Sequence, residues 1–264
     1  MIEFDANLKW LYTELPFLDR FAAAAADGFR GVEIADPYGY EPQTIRKALS
    51  SARLVLVLVN TPAGAPGSPT ANGAAGVPGE EAAFRDGFRR AHEYAVTLGA
   101  SLIHVMAGLV PVDRTRRAAA ATLARNIEWA LSHSDPSITL AVEAINRVDQ
   151  PRMAWDDLEH AIETVELFED DRLGILFDVY HAQRSGGNLL ERLHAAAPQI
   201  KHVQVADSPL RHEPGTGEIS WKAVFERLDR IGYDRWIGCE YQPAAGTVAG
   251  LGWRNNVDLI GGIR

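Results

Sequence analysis

Eight short aliphatic and β-branched runs recur along this 264-residue chain, and most are followed by a stretch of helical spacing. The runs cover residues 2–7, 31–35, 54–60, 102–106, 138–143, 173–178, 200–205 and 236–240. Most are apolar on both faces, as parallel strands covered by helices should be. Between them, Phe84, Phe88, Ala91, Ala95 and Leu98 step by three or four toward Gly99, where a helix would stop. Leu158, Ile162 and Val165 repeat the pattern, as do Val224, Leu228 and Ile231 between a capping Ser220 and a terminating Gly232. Pro42 suits the first turn of a helix reaching about Ala52, and Asn188 suits the start of one that turns Leu189, Leu190 and Leu193 inward before Pro198. The alanine runs at 22–26 and 118–121 read as helix filler.

Eight strands alternating with about eight helices predict a single (β/α)8 TIM barrel over residues 1–264. A doubly wound open sheet is the rival. Its nucleotide-binding versions carry a Gly-rich turn after the first strand, whereas here that segment reads Ala6-Asn7-Leu8-Lys9-Trp10.

Composition narrows the function. A net charge of −9 repels phosphate backbones and anionic lipid, so no nucleic acid and no membrane is expected as partner. Cys239 is the single cysteine, so no intrachain disulfide and no cysteine zinc cluster can form. Glu3 and Asp5 stand where a signal peptide would be basic, and residues 54–59, the longest strongly apolar run, are too few to span a bilayer. A cytoplasmic protein is expected, with a homo-oligomer as a further expectation.

In such a barrel the chemistry lies at the C-terminal ends of the strands. The fifth run ends in Glu143, the sixth in Asp178 and the eighth in Glu240, while the seventh contains Gln204. The separations of 35, 26 and 36 residues are each about one β/α unit. Closure of the barrel could bring the four heads to one point. Three carboxylates in a low-dielectric pocket cannot all stay ionised unaided. A divalent cation removes the difficulty, and an all-oxygen donor set favours Mg²⁺ or Mn²⁺ over copper, with zinc less suited. His181 follows Asp178 by three residues. Arg211 opens the loop after the seventh run and can grip a carboxylate bidentately. Asn7, Asn60 and His104 end or interrupt runs and are further candidates for the mouth. Residues 61–79, dense in Gly, Pro and Ala, read either as a solvated loop or as a lid over the catalytic rim.

Several segments together carry a family likeness. They are Thr13-Glu14-Leu15-Pro16-Phe17, His104-Val105-Met106-Ala107-Gly108, Val142-Glu143-Ala144-Ile145-Asn146, Phe177-Asp178-Val179-Tyr180-His181-Ala182-Gln183, Arg211-His212-Glu213-Pro214-Gly215, Gly238-Cys239-Glu240-Tyr241 and Gly250-Leu251-Gly252-Trp253. In these the chain resembles the hydroxypyruvate isomerase family of the xylose-isomerase-like barrels, over almost its whole length. The resemblance implies an acid/base pair, Glu143 and Glu240, and a divalent metal on Glu143, Asp178, Gln204 and Glu240. It implies a small hydroxy- or oxo-acid substrate, oriented by Arg211 and His181, and no nucleotide cofactor. Sugar 3-epimerases of the same superfamily typically have His as the third ligand, so Gln204 leans toward the isomerase branch. Asn146-Arg147-Val148-Asp149 is similar to an epimerase stretch whose acid contacts substrate, which makes Asp149 a substrate-binding candidate. A 2-oxo-tetronate isomerase or a ketose 3-epimerase is therefore the alternative activity.

Overall fold

The computed structural model describes residues 3–260. Eight parallel strands close into one barrel in chain order: β1 (Glu3–Asn7), β2 (Gly31–Ile34), β3 (Val55–Asn60), β4 (Leu102–His104), β5 (Thr139–Glu143), β6 (Leu173–Asp178), β7 (Ile200–Val205) and β8 (Trp236–Cys239). β8 closes on β1 with Asp5 opposite Gly238. The (β/α)8 expectation holds; the expected start of β1 at Ile2 lies outside the described residues.

The helices are α1 (Arg20–Ala26), α2 (Pro42–Ala52), α3 (Glu81–Leu98), α4 (Arg116–His133), α5 (Leu158–Phe168), α6 (Val179–Arg184), α7 (Leu189–Ala196), α8 (Trp221–Arg230) and α9 (Val257–Ile260). Their ends follow the local chemistry. Pro42 occupies the first turn of α2, and Gly99 closes α3 at φ 77°, in the left-handed region that glycine enters without a Cβ clash. Asp157 caps α5 by accepting from His160 N. Ser220 and Asn188 precede α8 and α7 as expected, but neither side chain makes a cap hydrogen bond.

A large apolar cluster fills the space between barrel and helices, including Phe84 and Phe88 of α3 and Trp221, Val224 and Leu228 of α8. A small second cluster, Val57, Leu58, Leu102, Ala141 and Leu176, with Trp236 packed against it, plugs the barrel. Other strand residues are polar and still buried: Asp5, Asn7, Glu33, His104, Glu143, Asp178, His202 and Gln204. Burying a leucine contributes roughly 1.5–3 kcal/mol. An ionised carboxylate left unpaired in a core costs several times that. So many acids inside one barrel mark a site, not a device for stability.

Residues 61–79 divide in two. Ala75 N and Gly76 N donate to Met106 O and Ala107 O, Asn126 of α4 donates to Ala75 O, and residues 73–77 are buried. Residues 63–67 are exposed. The half nearest α3 is thus part of the wall, and a lid could be built only from the other half.

Candidate active site

Asp178 ends β6 and also caps α6. Its Oδ1 accepts from Tyr180 N at 2.7 Å and His181 N at 3.3 Å. The cap holds one oxygen, leaves Oδ2 to face the site and sets His181 three residues on. His181 Nε2 then stands 3.7 Å from both Asp178 Oδ2 and Glu143 Oε1. These three side chains offer ligand atoms all within 4.8 Å of one another.

Glu240 joins through Arg211, whose Nη2 donates to Glu240 Oε2 at 3.0 Å and Asp178 Oδ2 at 3.3 Å. Trp10 Nε1 donates to the other oxygen of Glu240 at 3.1 Å. β8 ends at Cys239, one residue before the expected end, because Glu240 N turns back onto Gly238 O. Arg211 is held between the Trp10 and Tyr180 rings, 4.6 and 5.0 Å from their centroids. Its loop is anchored by Asp207, which accepts from Ser208 N, Ile219 N, Gly215 N and Trp221 Nε1. Glu14 ties the first loop to the last by accepting from Thr247 N and Oγ1.

The tautomer of His181 follows from its neighbours. Asn146 Oδ1 accepts from Val148 N and Asp149 N, so its Nδ2 must point the other way. That nitrogen faces His181 Nδ1 at 2.6 Å and Asp149 Oδ2 at 3.0 Å. Nδ1 is therefore the acceptor and Nε2 carries the hydrogen, directed at the carboxylates. Burial, reinforced by Arg211, holds the His181 pKa well below its ordinary value, so the ring is neutral. Burial also lowers His104, to about 4, and its Nε2 lies 3.6 Å from Glu143 Oε2.

Burial is the main cause raising all three acids. Asp178 is pushed up to about 7, and Glu143 rises well above the usual range with repulsion from Asp178 and Glu240 added. Glu240 rises too, against the opposing pull of Arg211. Glu143 Oε1 is buried, and among the described residues nothing donates a hydrogen bond to it. A divalent cation fits here. It would satisfy the orphan oxygen, offset the repulsion and meet the hard oxygen donors it prefers. Asp5, Glu33 and His202 form a second group with ligand atoms within 4.8 Å. There both Glu33 oxygens are already engaged, by His202, Gln204 and Asn7, whereas both Asp5 oxygens are buried with no hydrogen-bond partner among the described residues.

The remaining candidates take up different places. Gln204 is level with Asp178 in the β6–β7 register, and its amide nitrogen donates to Glu33. Asn7 donates to Glu33 Oε2 at 2.8 Å and lies behind the acids. Asn60 Nδ2 faces Met106 Sδ. Asp149 accepts from Asn146, Tyr180 and Arg184, so its oxygens hold the wall of the site. Glu33, Trp10 and Asn146 join the site beyond these candidates. Trp10 belongs to the loop after β1, where the rim of a barrel is built. Glu33 sits inside an apolar run and offers only its charge among Val32 and Ile34 as a signal.

Residues 21–257 match the family model for the xylose isomerase-like TIM barrel. A 2-oxo-tetronate isomerase of Cupriavidus necator is 42% identical over 96% of this chain and 97% of its own. A hydroxypyruvate isomerase of Escherichia coli is 39% identical over 96% of this chain and 98% of its own. A solved structure titled AP endonuclease, family 2, from Brucella melitensis superposes with a TM-score of 0.91 at 35% identity, covering 97% of this chain and 99% of that one.

Proposed function

The chain belongs to the xylose isomerase-like TIM barrel family, and from that premise we propose that it is a divalent-metal-dependent isomerase interconverting hydroxypyruvate and 2-hydroxy-3-oxopropanoate. The observation that carries the reading is the buried, unpartnered Glu143 Oε1 beside Asp178, with Arg211 linking Asp178 to Glu240.

The reaction moves one proton from C3 to C2 and passes the O3 hydroxyl proton to O2, so that hydroxyl and carbonyl change places. A Mg²⁺ or Mn²⁺ ion held by Glu143, Asp178, Gln204 and Glu240 would supply Lewis-acid stabilisation of the ene-diolate. Glu143 and Glu240 are the proton carriers. One takes the C3 proton and the other supplies the proton to C2. Burial holds both above the ordinary carboxylate range in the metal-free chain. His181 Nε2–H donates to an oxygen on the reacting carbons, and Arg211 binds the substrate carboxylate. The net charge of −9 opposes a polyanionic phosphodiester partner.

A 2-oxo-tetronate substrate is the second reading, favoured by the 42% identical relative of that name. Product analysis on hydroxypyruvate, four-carbon 2-oxo acids and neutral ketoses tests both. The proposal expects the highest kcat/KM on hydroxypyruvate. A tenfold or greater preference for the four-carbon acid gives the second reading, and turnover of ketoses alone refutes both.

A further inference from the structure

We propose that Glu33 is a positioning residue that orients the side-chain amide of Gln204, so that its carbonyl oxygen rather than its nitrogen is offered to the metal. The inference rests on the metal-dependent reading above and deepens it.

A glutamine side chain has two ends of nearly equal shape and opposite chemistry. Only the carbonyl end can hold a cation. A strand can place Gln204 at the right level, but it cannot select the end. Glu33 selects it. Its Oε2 accepts from Gln204 Nε2 at 2.7 Å. An ionised carboxylate accepts and does not donate, so the carbonyl end cannot occupy that place. Among the described residues no group donates to the Gln204 carbonyl oxygen, which leaves it available.

The surroundings keep Glu33 Oε2 an acceptor: Asn7 Oδ1 accepts from Lys9 N, so the Nδ2 end of Asn7 is the one that faces it. His202 Nε2 contacts Oε1 and Asn7 Nδ2 donates to Oε2, so both oxygens are fixed. Gly238 of β8 gives the carboxylate room, because a Cβ there would overlap Glu33 Oε1. Orienting partners behind a metal ligand commonly alter metal affinity by about 10- to 100-fold.

The test is Mn²⁺ binding to the metal-stripped full chain by isothermal titration calorimetry, with circular dichroism confirming the fold. Glu33→Met is expected to weaken Mn²⁺ by at least about tenfold, and Glu33→Gln, whose carbonyl can take the Oε2 place, to stay within about threefold of wild type. In a Gln204→Ala background, Glu33→Met should cause no further loss. A swap keeps the question open to decision if Glu33→Met does not fold. Gln204→Glu alone sets two carboxylates against each other, and adding Glu33→Gln restores a donor. The double variant should bind Mn²⁺ at least about tenfold more tightly than Gln204→Glu alone. Unchanged affinity in Glu33→Met, an additive loss with Gln204→Ala, or no recovery in the swap overturns the proposal. Failure of the wild type itself to bind Mn²⁺ sinks the metal-dependent reading and this inference together.

Discussion

His181 Nε2 stands 3.7 Å from Glu143 Oε1, a buried oxygen that accepts no hydrogen bond from the described residues. The two groups face each other beyond hydrogen-bonding distance, so the oxygen keeps its lone pairs without a donor. Buried polar atoms in folded proteins are nearly always paired, so an orphan at the end of a barrel strand marks where a ligand belongs.

Glu143→Gln and Glu240→Gln should each lower kcat on hydroxypyruvate by roughly 10²–10⁴-fold, the usual contribution of general acid–base catalysis. Steady-state assays with far-UV circular dichroism check this. Near-wild-type turnover of a folded variant removes that glutamate from the proton-transfer role.

Arg211→Ala should raise KM for 2-oxo acids more than for neutral ketoses, because only the acids present a carboxylate to the guanidinium. Parallel KM measurements on both substrate classes decide it. An equal rise would assign Arg211 to balancing Asp178 and Glu240 alone.

The metal-free protein should lose stability as pH rises through neutrality. Asp178 titrates higher folded than unfolded, at about 7 against an ordinary value near 4. Its contribution is therefore complete below about pH 4 and is lost as pH rises through about 7. Metal needs the ionised form, so the gain in Tm on adding Mn²⁺ should grow between about pH 5 and 8. Melting curves with Mn²⁺ and with EDTA give that difference, and a pH-independent gain would contradict the shift.

Gly238→Ala should destabilise the fold by about 1–3 kcal/mol, as overpacking does, because its Cβ would collide with Glu33. Urea titration measures this. A neutral effect would show that Glu33 can move aside.

The barrel was legible because most strands read as apolar on both faces and the longer helices as amphipathic, so the period separates them. Glu143, Asp178 and Glu240 were legible for a related reason: each breaks an apolar run at the end where barrels place chemistry. Glu33 and His202 break runs too, but nothing in the order of residues shows that they meet 169 positions apart. Asp149 is a substrate-binding candidate by resemblance, and the folded loop brings Asn146, Tyr180 and Arg184 to its oxygens, partners the order of residues does not show. Residues 61–79 read as uniform by composition, although Ala74, Ala75 and Val77 pack as core and exposed residues 63–67 do not.

The most direct measurement is hydroxypyruvate turnover by exhaustively chelated protein before and after titration with Mn²⁺. No isomerisation is expected at first, then activity that rises to a plateau near one ion per chain, with 2-hydroxy-3-oxopropanoate as product. Full activity in the stripped protein, or a plateau reached with no product from any 2-oxo acid, would contradict it.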